Sequence, residues 1–190
     1  MNNLLLAPEV ADCQPEWQSR SVSELATHIS GVYHERLRDE LPILTRQVAA
    51  LSTHFSDVRV FHLRALSRLL GELRNEVDPH SWTEDDLLFP VLAACENPLI
   101  LTTTLTSDRL VRLVDSLAAE HIRIRQVLAR ITSHIADVKA QAAEMPDWAE
   151  LIVRVEKLRD HKLEEMALED RCLLPRARAI AQSTDRRFYG

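Results

Sequence analysis

Apolar residues recur along this chain at alternating spacings of three and four, in four long runs. The first is Leu37, Leu41, Leu44, Val48, Leu51 and Phe55, and the second is Leu63, Leu66, Leu70, Leu73 and Val77. The third runs Leu110, Val114, Leu117, Ile124, Leu128, Ile131, Ile135 and Val138; the fourth holds Leu151, Val155, Leu158, Leu168 and Cys172. Such spacing keeps one face of an α-helix apolar. The separators agree: Ser56–Asp57 lies between the first two runs, and Asn97–Pro98 ends the second. Ser107–Asp108 offers an N-cap for the third, and Pro146 opens the fourth. Helices of about 30 residues, roughly 45 Å long, joined by short connections must lie antiparallel. The expected fold is all-α, an up-down-up-down four-helix bundle over residues 21–182. An irregular arm (1–20) precedes it and a frayed tail (183–190) follows. Pro42 and Pro79 fall inside helical patterns and predict kinks.

The chain also repeats itself. Glu84–Asp85–Asp86–Leu87–Leu88–Phe89–Pro90 returns 85 residues later as Glu169–Asp170–Arg171–Cys172–Leu173–Leu174–Pro175. His34–Glu35–Arg36–Leu37–Arg38 returns 87 residues later as His121–Ile122–Arg123–Ile124–Arg125. The bundle therefore reads as two related helical hairpins, each with a histidine in its first helix.

Polar residues interrupt the apolar seams at matching places. His34 lies one heptad before Leu41, and His121 stands where the third seam demands an apolar residue. The second seam continues from Val77 through His80 and Glu84 to Leu87 and Val91. The fourth continues from Leu158 through Lys162, or through His161, to Glu165, Glu169 and Cys172. His80/Glu84 and Glu165/Glu169 are i, i+4 pairs, stacked on one helical face. Six ionisable groups thus converge on the interior: His34, His80, Glu84, His121, Glu165 and Glu169. Burying one unpaired charge costs several kcal/mol, against a total stability of about 5–15 kcal/mol. Two divalent ions with a bridging oxide or hydroxide would neutralise most of that charge. Imidazole and carboxylate ligands with open positions suit iron best, with manganese as the alternative and zinc as a contaminant. Ser81–Trp82–Thr83–Glu84 also has the form of a capping box, which competes with Glu84 as a ligand.

Composition narrows the rest. Three glycines in 190 residues argue against a sheet fold and against glycine-rich phosphate loops. The net charge is −6 and no basic stripe is present, so nucleic acid is not an expected partner; Arg176–Arg178 and Arg186–Arg187 are the only basic clusters. No apolar run reaches membrane-spanning length, and the N-terminus lacks the pattern of a signal peptide. Cys13, Cys95 and Cys172, odd in number and far apart, predict neither a disulfide framework nor a thiolate metal site. Cys172 reads as a small buried apolar residue. These features predict a reduced, soluble, cytoplasmic protein with no membrane partner. No histidine follows a glutamate by three residues, which excludes the ferritin-like ligand pattern, and HExxH is absent.

Tyr33–His34–Glu35–Arg36 with Leu41–Pro42, His80-x3-Glu84 with Leu88–Phe89–Pro90, and Glu120–His121 resemble hemerythrin-like (HHE) domains. The strongest likeness is to the repair-of-iron-centres branch, over about residues 20–180. The resemblance implies a non-haem di-iron site with His34, His80, Glu84, His121 and Glu169 as ligands, and with Glu84 and Glu169 bridging. Where that branch has its last histidine this chain has Glu165, and His161 lies one turn earlier as a reserve. The small cysteine-containing N-terminal domain of many members is reduced here to an arm with Cys13. His28 is expected on the helix surface, His54, His62 and His134 in solvent, and Tyr33 and Trp82 in packing roles.

The function expected from this resemblance is a di-iron protein of nitrosative or oxidative stress. It would bind nitric oxide or oxygen, or supply iron to damaged iron–sulfur proteins. Two other readings stay open: a reversible oxygen or nitric-oxide carrier or sensor, and a metal-free helical interaction bundle.

Overall fold

The computed structural model describes residues 13–55, 58–96, 106–142 and 145–189. Its elements are α1 (Pro15–Gln18), α2 (Val22–His28), π1 (Ile29–His34), α3 (Glu35–Ser52), α4 (Val58–Thr83), π2 (Glu84–Leu88), α5 (Phe89–Glu96), α6 (Ser107–Ala142), α7 (Pro146–Leu168), π3 (Glu169–Leu173) and α8 (Leu174–Tyr189). The π segments are wide turns inside continuous rods, so the chain forms four long helical rods and no strand among the described residues. Rod neighbours are α3 with α4, α4 with α6, α6 with α7, and α7 back to α3. Cross-rod contacts run in opposite senses: His80 meets Glu120 while Glu72 meets Arg130, and Ser107 at the start of α6 reaches Ala181 in α8. This is the antiparallel up-down-up-down bundle that the seams predict.

The seams are the core. Leu37 to Val48 in α3, Leu63 to Val77 in α4, Ile124 to Val138 in α6 and Leu151 to Leu158 in α7 supply one apolar cluster. A second cluster joins Leu25, Ile29, Leu88, Leu92, Leu110, Val114, Leu117, Cys172 and Leu173. Between the two lies a slab of fully buried polar side chains: His34, His80, Glu84, His121, Lys162, Glu165 and Glu169.

Three local details differ from expectation. The seam past Glu84 continues through Leu88, which is buried, while Leu87 is 42% exposed. The wide turn of π2 takes more residues per turn than an α-helix and so moves the register by one. The capping box at Ser81–Glu84 does not form: the helix runs straight through, the Ser81 hydroxyl is buried without a partner, and Glu84 points inward. A true capping box stands at the start of α2, where Ser21 and Glu24 bond reciprocally to each other's backbone N–H. At α6 the helix already includes Ser107, whose hydroxyl donates to the Ala181 carbonyl instead of capping. Pro146 occupies the first turn of α7. Pro42 and Pro79 lie within α3 and α4. At the ends of the chain, α1 gives the arm one helical turn and α8 continues to Tyr189. The separators at 56–57 and 97–98, and the arm over 1–12, lie outside the described residues.

The cysteines require a correction. Cys13 and Cys172 form a disulfide, with Cα atoms 4.9 Å apart across a sequence separation of 159. Spacing could not reveal this pair, because it exists only once the arm folds onto the bundle. The Arg176 guanidinium holds the arm there by donating to the carbonyls of Trp17 and Arg20. Cys95 is free. No described helix is long and apolar enough to cross a membrane.

Candidate metal centre

Four rods each send side chains into the polar slab. His34 closes π1, Glu84 opens π2 one turn after His80, His121 projects from the middle of α6, and Glu169 opens π3 one turn after Glu165. All six are fully buried. Three of the four rods carry a π turn adjoining a candidate ligand, a placement that re-aims side chains without ending the helix.

The six residues fall into two groups of four that share Glu84 and Glu169. One is His80, Glu84, His121 and Glu169; the other is His34, Glu84, Glu165 and Glu169. Within each group the candidate ligand atoms lie within 4.8 Å of one another. His121 Nε2 is 2.9 Å from Glu169 and 3.3 Å from His80 Nε2. His34 Nε2 is 3.1 Å from Glu165 and 3.3 Å from Glu84. Both carboxylate oxygens of Glu84 and of Glu169, Oε2 of Glu165 and Nε2 of His34 have no hydrogen-bond partner. Buried polar atoms in folded proteins are nearly always satisfied, so an inward-facing set of orphans is a strong sign of a missing partner. Their chemistry, nitrogen and oxygen donors around a shared pair of carboxylates, fits iron or manganese.

The far side of each imidazole is fixed. Nδ1 of His34 donates to Asp85 (2.9 Å), Nδ1 of His80 to Glu120 (3.0 Å) and Nδ1 of His121 to Asp170 (2.6 Å). Arg38 donates in turn to Asp85 (2.8 Å), and Arg125 to Asp170. A carboxylate on Nδ1–H sets the tautomer, turns the Nε2 lone pair inward and makes the ring a better donor.

These contacts govern the charges. Burial opposes protonation of His34, but Asp85, Glu165 and Glu84 outweigh it and raise its pKa to about 11. Burial likewise opposes protonation of His121, while Asp170 and Glu169 raise it to about 9. Burial and the adjacent Glu169 carboxylate push Glu84 up. Glu169 is held well below the usual carboxylate range because Lys162 and the histidines outweigh its burial. Metal binding at such a cluster must displace protons from the imidazoles, so it is tied to pH.

The cluster contains Glu165 and not the reserve residue His161, which stacks on Tyr33 at 4.6 Å with its Nε2 unpartnered. His28 stacks on Trp17, His134 Nε2 bonds to the His62 carbonyl, and Trp82 is 58% exposed. Asp85, Asp170, Glu120 and Lys162 are not among the residues expected at the site. For Asp85 and Asp170 the signal is present in the repeat, each aspartate following a seam glutamate and returning with its arginine. A surface cleft of about 300 Å³ between α3 and α4 has His34, Leu37, Val77, Ser81 and Asp85 in its lining.

Residues 26–177 match the model of the hemerythrin HHE cation-binding domain. Curated relatives are the iron–sulfur cluster repair protein YtfE of Escherichia coli O1:K1 and its counterpart in Escherichia fergusonii. Each is 24% identical over 166 residues, covering 87% of this chain and 70% of the relative. The chain belongs to the hemerythrin HHE cation-binding family.

Proposed function

From that membership, we propose that this protein holds two iron ions in the polar slab. His80 and His121 serve one ion, His34 and Glu165 the other, and Glu84 and Glu169 bridge them, with an oxide or hydroxide completing the bridge. Manganese is the alternative metal. The observation that carries this reading is the set of buried orphan atoms, each imidazole being braced from behind by a carboxylate.

When bound, the ions supply redox electrons and open positions for a diatomic molecule. The chain's own residues do the rest. Asp85, Glu120 and Asp170 orient the rings, the apolar clusters on either side exclude bulk water, and the cleft beside His34 gives a small molecule a way in. We assign the protein to nitrosative or oxidative stress, binding nitric oxide or oxygen and supplying iron to damaged iron–sulfur proteins. The name of the relatives supports the repair role, and the two unlike ligand sets, His34 with Glu165 against His80 with His121, support release of one iron before the other. In the cytoplasm, where we place this activity, the Cys13–Cys172 bond would be open to reduction.

Anaerobically loaded protein should contain about two irons, and Glu84→Ala or His121→Ala should abolish loading. Full loading in either variant, read by metal analysis, would sink the assignment. A visible band that forms with oxygen and reverses under vacuum would favour the carrier reading instead. A melting temperature indifferent to chelator would favour the metal-free bundle.

A further inference from the structure

Lys162 is a fully buried lysine inside the polar slab, and the proposed centre gives it no role as a ligand. Its Nζ donates to Glu165 Oε1 at 2.7 Å, the one hydrogen bond described for it. Glu84 and Glu169 are also within its electrostatic reach. The 85-residue repeat shows what is unusual here. Position 162 corresponds to Val77, buried and apolar in the first hairpin, and position 165 corresponds to His80. Two positions one helical turn apart therefore differ together between the hairpins, valine and imidazole in the first, ammonium and carboxylate in the second. The added charges, +1 and −1, cancel.

Resting on the metal-centre reading above, we propose that Lys162 is a built-in counter-cation to Glu165. It makes the two metal positions unequal, the one formed by His34 and Glu165 being weaker and exchangeable. A carboxylate in place of an imidazole would, alone, strengthen a divalent-ion site and leave an uncompensated buried charge whenever the site is vacant. The ammonium removes both effects. It engages Oε1, leaving Oε2 as the unpartnered oxygen of Glu165, and it repels a second cation from the same carboxylates. The position shared by His80 and His121 holds two imidazoles and contains no ligand hydrogen-bonded to the ammonium, whose field reaches His80 and the shared Glu169 and Glu84 while its one hydrogen bond goes to Glu165. It keeps the tighter ion. The cleft reaches His34, on the weaker side, so exchange takes place where the ammonium has lowered the affinity.

At an effective dielectric near 20, two unit charges about 6 Å apart change an equilibrium on the order of a hundredfold, and closer charges by more. Anaerobic calorimetric titration of the full chain with Fe(II), alongside thermal melts of the metal-free protein, tests this. Wild-type protein should bind two ions in steps separated by roughly a hundredfold. In Lys162→Met the gap should shrink to about tenfold or less, while the metal-free melting temperature falls and is regained on loading. Glu165→Gln, which leaves the ammonium without its partner, should lose the second step. The double change Lys162→Val with Glu165→His, which restores the pattern of the first hairpin, should bind two ions with similar affinity and melt normally without metal. If Lys162→Met fails to fold, Lys162→Gln decides the question, since it keeps a polar partner for Glu165 without the charge and should narrow the gap in the same way. A lysine that merely fills space would leave the gap unchanged in Lys162→Met, and that result overturns the proposal. Two equal steps in wild-type protein would overturn it while leaving the metal centre intact. No binding at all would remove the centre and this role with it.

Discussion

In the first hairpin His34 leans on Asp85 and Asp85 on Arg38; in the second His121 leans on Asp170 and Asp170 on Arg125. The outer frame is thus the same twice over. The inward faces differ. His80, braced by Glu120, has as its counterpart Glu165, paired with Lys162, and the counterpart of Glu120 is Tyr33. The frame orients an imidazole and strengthens it as a donor, which each position needs, and both copies keep it. The inner residues set charge and affinity, and there one copy has changed. The hairpins also secure the N-terminal segment in different ways. Glu96, at the end of α5 in the first, accepts hydrogen bonds from the Val22 and Ser23 backbone N–H groups and the Ser23 hydroxyl. Cys172 in the second is bonded to Cys13.

Each difference can be broken separately. The largest expected effect is on the disulfide: Cys13→Ser should destabilise the oxidised protein by about 2–4 kcal/mol in urea unfolding, because the closed loop is long. No change under oxidising conditions would mean that arm and bundle are held by packing alone. Next are the framing aspartates. Asp170→Asn and Asp85→Asn should each weaken metal binding by roughly 10–100-fold, the first at the His121 position and the second at the His34 position. Equal losses at both positions from either variant would show that the frame does not act locally. The smallest effect belongs to Glu96→Gln, at about 0.5–1 kcal/mol, at the low end of a helix cap because the group is partly exposed. Burial opposes its ionisation, yet the Ser23 and Val22 donors hold its carboxyl below the ordinary 4.5. A lowered carboxylate pKa stabilises the fold above the unfolded value and loses that contribution as pH falls through the folded one. The difference between wild type and Glu96→Gln should therefore be present at pH 7 and fade as pH falls below 4.5 through the lowered folded value; a difference that does not fade with acid would point to packing.

How far the sequence could be read depended on distance along the chain. The four helices were legible because each seam is a local period, and buried Leu41, Leu70, Leu128 and Val155 lie where it puts them. His34, His80, Glu84, His121, Glu165 and Glu169 were legible because they break that period in places related by the repeat. Leu88 took the buried place expected for Leu87, since the π turn that Glu84 opens adds a residue that the α-helical period does not show. Glu165 was preferred to His161 on the register of the repeat, and His161 lies apart from the cluster, against Tyr33.

By itself, then, the sequence determined the helices, their antiparallel order and the residues that converge between them. All of these follow from side chains repeating at the pitch of one helix. Tertiary structure alone decided that Asp85 and Asp170 would stand behind the imidazoles of another rod and that Cys13 would reach Cys172. Those contacts depend on how rods rotate and pack against each other, and burial fixes that rotation only when every face has found its partner.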